Sequence, residues 1–335
     1  MSQKNETTIL LLAVVITAGL AGCVIWWFTQ NFGVTSILNS NNDDSSSNPV
    51  DSQNHTTQLQ TFDQVKNVPS GLISYGGSTS WAPIRRDLDP EIQRVWSQFQ
   101  LRYTDPEKEA PSSTTGIAML LKSQLEFAQA SRPVSNKEYE EAGKKGIQLK
   151  EIPVAIDGLA VVVNPNLNIS GITINQFDDI FAGKITNWQQ VGGQDLKIQP
   201  YGKKGRDTGK HFKLVETTTE AVRKVAGDPG GVYWAAAPLL VPQCTVKPIP
   251  IGRDSQKFIP PYQPPLSSTS QCSQYGRKVN IDAIRTGEYP LSRRLVVVIK
   301  QNGRFEQQTG EAYANLLLTV QGQRMIAKAG FVNIR

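Results

Sequence analysis

Gly76-Gly77-Ser78-Thr79-Ser80-Trp81-Ala82-Pro83 is the stretch around which this chain is organised. Residues 72–75 before it read as a short buried strand. Beyond it, Asp89-Pro90-Glu91 opens a predicted helix with Ile92, Val95, Trp96, Phe99 and Tyr103 on its apolar side. Glycines let a backbone approach a ligand closely, the exposed N–H groups there point at it, and three successive hydroxyls add neutral donors. Between a strand and a helix, that combination suits an oxyanion. The competing reading is a tight turn with capping residues.

Two further loops repeat the pattern. Pro111-Ser112-Ser113-Thr114-Thr115-Gly116 precedes apolar Ile117, Leu120, Leu121 and Leu125, so its hydroxyls stand at a helix N-terminus, where orphan amides and the dipole favour an anion. That helix leads to a short strand ending in Ser131 and Arg132, whose guanidinium offers a two-pronged fork to an oxyanion. A third strand, 196–200, runs into Tyr201-Gly202-Lys203-Lys204-Gly205-Arg206-Asp207-Thr208-Gly209-Lys210. A helix is predicted to follow with Phe212, Val215, Val222 and Val225 inward. Capping or solvated charge explains any one such loop, but three in one chain point to a shared anion.

Residues 152–164 are β-branched and almost continuously apolar, the pattern of a strand buried on both faces of a helix-covered sheet. Thr173-Ile174-Asn175-Gln176 has capping-box spacing, and Ile174, Phe177, Ile180 and Phe181 form the stripe of a helix ending at Gly183. Residues 295–299 are another apolar strand, followed by a closing helical region from 310.

With 335 residues, the chain is long enough for two domains or one two-lobed domain. A net charge of +6 without long Lys/Arg runs fits an anionic ligand or a membrane surface, and no nucleic-acid partner is expected. The only histidines are His55 and His211, and the three cysteines are far apart, so no metal site, cofactor or nucleophile pair is expected, and no enzyme.

After a short segment 1–8, residues 9–28 carry no charge and are long enough to span a bilayer. Within them Leu20-Ala21-Gly22-Cys23 resembles a bacterial lipobox with Cys23 as the lipidation candidate. The apolar run Val24-Ile25-Trp26-Trp27-Phe28 favours a retained anchor, and both readings stay open. Either way the remainder lies on the extracytoplasmic face of the cell membrane. Residues 29–70, rich in Asn, Ser and Asp, read as a disordered polar tether. Cys244 and Cys272 flank a Pro- and Ser-rich segment and are a candidate disulfide of an exported domain, two buried thiols being the alternative.

From about residue 71 to 335 the chain resembles the bacterial phosphate-binding proteins that feed the high-affinity phosphate ABC importer, the PstS type. The resemblance is carried by Asp157-Gly158-Leu159-Ala160-Val161-Val162-Val163-Asn164-Pro165 and by Asp179-Ile180-Phe181-Ala182-Gly183-Lys184-Ile185-Thr186-Asn187-Trp188 with Val191-Gly192-Gly193. Pro229-Gly230-Gly231-Val232, Tyr289-Pro290-Leu291-Ser292-Arg293 and Ala329-Gly330-Phe331-Val332 extend it. It implies an α/β, two-lobed type 2 periplasmic-binding-protein fold with two hinge crossings, near 159–164 and 294–299. Lobe 1 would be 71–160 plus 296–335, and lobe 2 would be 161–295.

The same resemblance implies inorganic phosphate as ligand, a phosphate ABC permease as partner, a periplasmic location and a monomer. It assigns phosphate contacts to Thr79 and Ser80, to Ser113 with Thr114 and Thr115, and to Arg132. The family's third loop reads Arg, then Ser-Gly-Thr; the matching positions here are Lys204, then Thr208-Gly209-Lys210, which keep charge and amides but lose the fork. Some members place an Asp after the equivalent of Ala130-Ser131, which accepts a hydrogen bond from a protonated phosphate oxygen. Arg132, as in another branch, removes that filter against sulfate. Asp157 is the selectivity candidate, either restoring the filter or orienting Arg132. A membrane-anchored phosphate sensing or storage module is the alternative function.

Overall fold

The computed structural model describes residues 59–204, 206–264 and 269–335. The segment 9–28, Cys23 and residues 29–58 of the expected tether lie outside the described residues. Among those described, no helix is long and apolar enough to cross a membrane.

In chain order the elements are β1 (Gly71–Gly77), α1 (Ala82–Val95), β2 (Phe99–Tyr103), α2 (Ser113–Leu121), β3 (Phe127–Ala130), α3 (Asn136–Lys144) and β4 (Leu149–Val163). There follow β5 (Ile172–Thr173), α4 (Ile174–Phe181), β6 (Gln199–Lys203), β7 (Lys213–Val215), α5 (Thr218–Gly227), β8 (Gly231–Ala236), α6 (Ala237–Leu240), β9 (Lys247–Ile249) and β10 (Ile251–Gly252). The chain closes with α7 (Thr269–Tyr275), α8 (Ile281–Arg285), β11 (Ser292–Lys300), α9 (Phe305–Leu317) and α10 (Val320–Lys328).

One strand order, β2-β1-β3-β11-β4-β8-β6-β7, runs through both lobes, and β9 also pairs with β4. The fifteen-residue β4 makes this possible. Its first part pairs antiparallel with β11, from Leu149↔Lys300 to Gly158↔Ser292, and its last part pairs with β8, from Leu159↔Ala236 to Val163↔Val232. The crossing therefore falls where the partner changes, at Gly158 and Leu159.

Period-two alternation decides how each lobe is filled. On β11, Leu295, Val297 and Ile299 join a core with α1, α9 and α10, whereas Val296 and Val298 join Ile117, Leu120 and Ala142 of α2 and α3 on the other face. The lobe-1 sheet is thus helix-covered on both sides, which is why its strands read as unbroken apolar runs. Lobe 2 has its own core, which includes Val161 to Val163, Ile180, Trp188, Val225 and Tyr233.

The expected two-lobed α/β architecture is present, with three local corrections. Helix α1 begins at Ala82, directly after the glycine–hydroxyl loop, because Pro83 sits in its first turn, where no N–H is needed. Phe99 and Tyr103 belong to β2, drawn into parallel pairing with Gly71 and Tyr75. Residues 213–215 form β7 beside β6, so the third helix starts only at Thr218. The fold also begins before residue 71. Phe62 and Val65, counted with the tether, are buried in the lobe-1 core, and Trp96 Nε1 donates to Phe62 O at 2.8 Å.

The Asn187-Trp188 motif is structural. Asn187 Oδ1 accepts from the Gln189 amide, Trp188 is fully buried, and its Nε1 donates to Gly230 O at 3.1 Å. Trp188→Ala is expected to cost about 3–5 kcal/mol in denaturant unfolding, the range for emptying a buried indole site. Cys244 and Cys272 form the expected disulfide, their Cα atoms 5.4 Å apart.

Candidate functional site

Gly77 opens the first loop with φ +125, a conformation that favours glycine. Gly116 lets α2 pack against it, since a Cβ there would lie 2.5 Å from the Gly77 Cα. The loop amide of Ser78 donates to Gln129 O at 2.8 Å, and its Oγ donates to Ser131 Oγ at 2.8 Å. Ser113 Oγ accepts from the Ser131 amide at 3.1 Å. Hydroxyls 53 and 18 residues apart in sequence thereby meet at one point, at the C-terminal edge of the lobe-1 strands. The amides of Ser113 and Thr114 open α2 and so lack an intrahelical acceptor.

A buried network fixes this loop from below. Arg85 Nη1 donates to Ser78 O at 3.2 Å and to Gln129 Oε1 at 2.8 Å, and Gln129 Nε2 donates to Tyr313 OH at 3.0 Å. Tyr313 OH and Tyr75 OH both donate to the Asp89 carboxylate. Burial pushes Asp89 up to about 6, against the opposing effect of these hydrogen bonds.

Between the lobes lies a cleft of about 400 Å3 whose lining includes Thr79, Ser80, Ser113, Thr114 and Ser131 from lobe 1. Facing them are Lys203, Arg206, Trp234 and Arg293, and among the described residues no carboxylate lines it. Lys203 is 8% exposed and has no carboxylate within ion-pair distance among the described residues. Its Nζ donates across the cleft to Thr79 Oγ1 at 2.8 Å. Burial, then neighbouring Arg206 and Arg85, lower it to about 8.

Arg206 lies 3.9 Å over the Trp234 ring and is held by Asp207, its Nε donating at 2.8 Å. Arg293 stands on β11 opposite Asp157 on β4, in register at the crossing. Its Nε donates to Asp157 Oδ2 at 3.0 Å and its Nη2 to Ser80 Oγ at 2.6 Å. Asp157 is fully buried, its other oxygen has no hydrogen-bond partner, and burial raises it to about 6 although Arg293 pulls the other way.

The structure thus brings Thr79, Ser80, Ser113, Thr114 and Arg132 to the cleft wall and leaves the other expected contacts elsewhere. Thr115 caps α2: the Ser112 amide donates to its Oγ1 at 2.9 Å, and it is absent from the lining. Lys204 points outward and pairs with Glu216 at 3.2 Å, and Thr208, Gly209 and Lys210 do not line the cleft. Arg132 turns its fork to Glu138, both nitrogens donating at 2.8 Å, with Thr114 Oγ1 as a further acceptor. Asp157 orients Arg293 instead of Arg132. The residues missed were Lys203, Arg206 and Arg293. Arg293 had a signal, the polar start of an otherwise apolar strand in Tyr289-Pro290-Leu291-Ser292-Arg293.

Two α/β lobes joined by β4 and a cleft lined by cations and hydroxyls, with no carboxylate among the described residues, form a site suited to an anion. The chain belongs to the family described as the PBP superfamily domain, whose family model matches residues 46–320. It is similar to the phosphate-binding protein PstS of Borreliella burgdorferi, 23% identical over 269 residues, covering 79% of this chain and 90% of that protein. A shorter similarity, 32% over 154 residues, joins it to protein SphX of Synechococcus elongatus and covers 44% of this chain and 43% of that one. In fold it is like an ABC-type phosphate transport receptor from Vibrio cholerae, with a TM-score of 0.59 and 22% identity, over 78% of this chain and all of that chain. A protein of Clostridium perfringens assigned to phosphate ABC transport and solved with bound phosphate gives a TM-score of 0.61 at 18% identity, over 79% and 100%.

Proposed function

We propose that this chain captures inorganic phosphate in the interlobe cleft and delivers it to an ABC-type importer on the extracytoplasmic side of the membrane. The observation that carries this reading is the cleft's charge: Lys203, Arg206 and Arg293 converge on loop hydroxyls, with no carboxylate in the lining among the described residues. Thr79, Ser80, Ser113 and Thr114 donate from lobe 1, with the first amides of α2. Lys203 and Arg206 donate from lobe 2, and Arg293 from the crossing itself. Closure about β4 and β11 brings the two sets around the anion, replacing its hydration by fixed donors. Arg132 acts through Thr114, which it anchors.

Asp157 keeps Arg293 in place and leaves one carboxylate oxygen without a donor. The Borreliella burgdorferi relative is named a phosphate-binding protein, and no step here calls for catalysis. Calorimetric titration of the full chain in detergent with phosphate, and separately with sulfate, tests the reading. Heat from phosphate is expected, and silence from both anions would overturn it. A sulfate response equal to phosphate would make the cleft a general oxyanion site.

A further inference from the structure

The cleft is larger than its proposed ion, and its walls are not uniform. We propose that it also accepts phosphomonoesters, in which one phosphate oxygen carries a small organic group. This rests on the phosphate reading above and names a wider class of ligand for the same site.

Size is the first ground. The lobes already touch across the cleft through Lys203 and Thr79 at 2.8 Å, so the space is not that of lobes swung apart. About 400 Å3 nevertheless remains. Four oxygens about a central atom fill roughly four waters' share of volume, about 120 Å3. The remainder, about 280 Å3, falls just short of the smallest pockets for small organic molecules.

Chemistry is the second. A free tetrahedral anion withdrawn from water needs donors on every side, because each unmet oxygen costs free energy. Here two of the donor sets expected from the sequence take no part in that shell. The Arg132 fork is bound to Glu138, and Thr208, Gly209 and Lys210 lie outside the lining. In their place the wall carries Pro111, Pro133, Leu239 and the Tyr233-Trp234 edge, with the Ser112 and Thr218 hydroxyls between them. Carbon walls give nothing to an oxyanion, but they suit the carbons of an ester, and the hydroxyls suit its remaining oxygens. The phosphoryl end then sits against Lys203, Arg293 and the loop hydroxyls, with the organic group toward Leu239.

The test is calorimetric titration of the full chain with inorganic phosphate and with glycerol 3-phosphate, in wild type and in Leu239→Trp, which fills the carbon side from a half-buried position. In wild type the ester is expected to bind within about tenfold of phosphate. Leu239→Trp should weaken the ester about a hundredfold and leave phosphate within about threefold. Phosphate binding with the ester at least about a hundredfold weaker in wild type overturns the proposal and leaves the phosphate reading standing. So does Leu239→Trp weakening both ligands alike. Silence from both ligands in wild type overturns the phosphate reading itself, and the proposal with it. Should Leu239→Trp fail to fold, the wild-type comparison decides.

Discussion

Arg293→Ala is expected to abolish detectable phosphate binding and to lower stability by about 3–5 kcal/mol at pH 7, the cost of stranding a buried charge. Both effects have one geometric cause. Arg293 presents one face to the cleft through Ser80 and the other to Asp157, which is fully buried. Removing the guanidinium leaves the Asp157 carboxylate without its only ion-pair partner among the described residues.

The sign of the pH dependence follows from the folded-state value. Asp157 already stands at about 6, above its ordinary 3.8, so the folded protein binds more protons than the unfolded chain in that interval. The contribution of Asp157 to stability therefore falls as pH rises from about 4 through 6. Loss of Arg293 removes the pull that lowers Asp157 and lifts the value further. The variant should accordingly be less destabilised at pH 5 than at pH 7. The double variant Arg293→Ala with Asp157→Asn should regain most of the stability and none of the binding. Denaturant melts at the two pH values, paired with titrations, separate the two roles. Equal melts for the single and double variants would contradict the ion-pair argument.

Lys203→Met is expected to weaken phosphate binding about 10- to 150-fold, the equivalent of one charged hydrogen bond of about 1.5–3 kcal/mol. Its fold should be unharmed or slightly firmer, because a buried ammonium without a carboxylate partner is replaced by an apolar chain of similar length. Wild-type Lys203 is lowered to about 8 by burial and by two arginines, so it loses its charge as pH rises through that region. Phosphate ionises over part of the same range, but this affects wild type and variant alike and cancels in the ratio of their affinities. The ratio should shrink from pH 7 to pH 9. A ratio that holds constant would mean that Lys203 does not meet the anion as a cation.

These two residues show where sequence reading stopped. Lys203 ends β6 and Lys204 opens the turn after it, so their side chains leave the strand in different directions. Composition treats them alike, yet Lys203 reaches into the cleft while Lys204 pairs with Glu216 at the surface. A register difference of one residue settled it, and only the pairing of β6 with β7 and β8 fixes that register. Arg132 lines the cleft with its fork already engaged, for another reason. It stands where a ligand fork was expected, but Glu138, six residues on and itself part of the α3 capping box, takes both prongs.

Local signals were sufficient for much of the rest. The apolar runs of β4 and β11 are unbroken because helices cover both faces, and that pattern is visible along the chain. The glycine–hydroxyl loop and the Ser112-Ser113-Thr114 helix start are also local, since glycine conformation and N-capping depend on a few consecutive residues. So the sequence by itself determined the α/β class, the two lobes and the loops that form the lobe-1 wall of the cleft. Tertiary structure alone decided which cations face that wall. Arg293 joins Asp157 across 136 residues, and Lys203 joins Thr79 across 124. Contacts at that separation arise from the packing of β4 against β11 and of one lobe against the other, and no neighbouring residue encodes them.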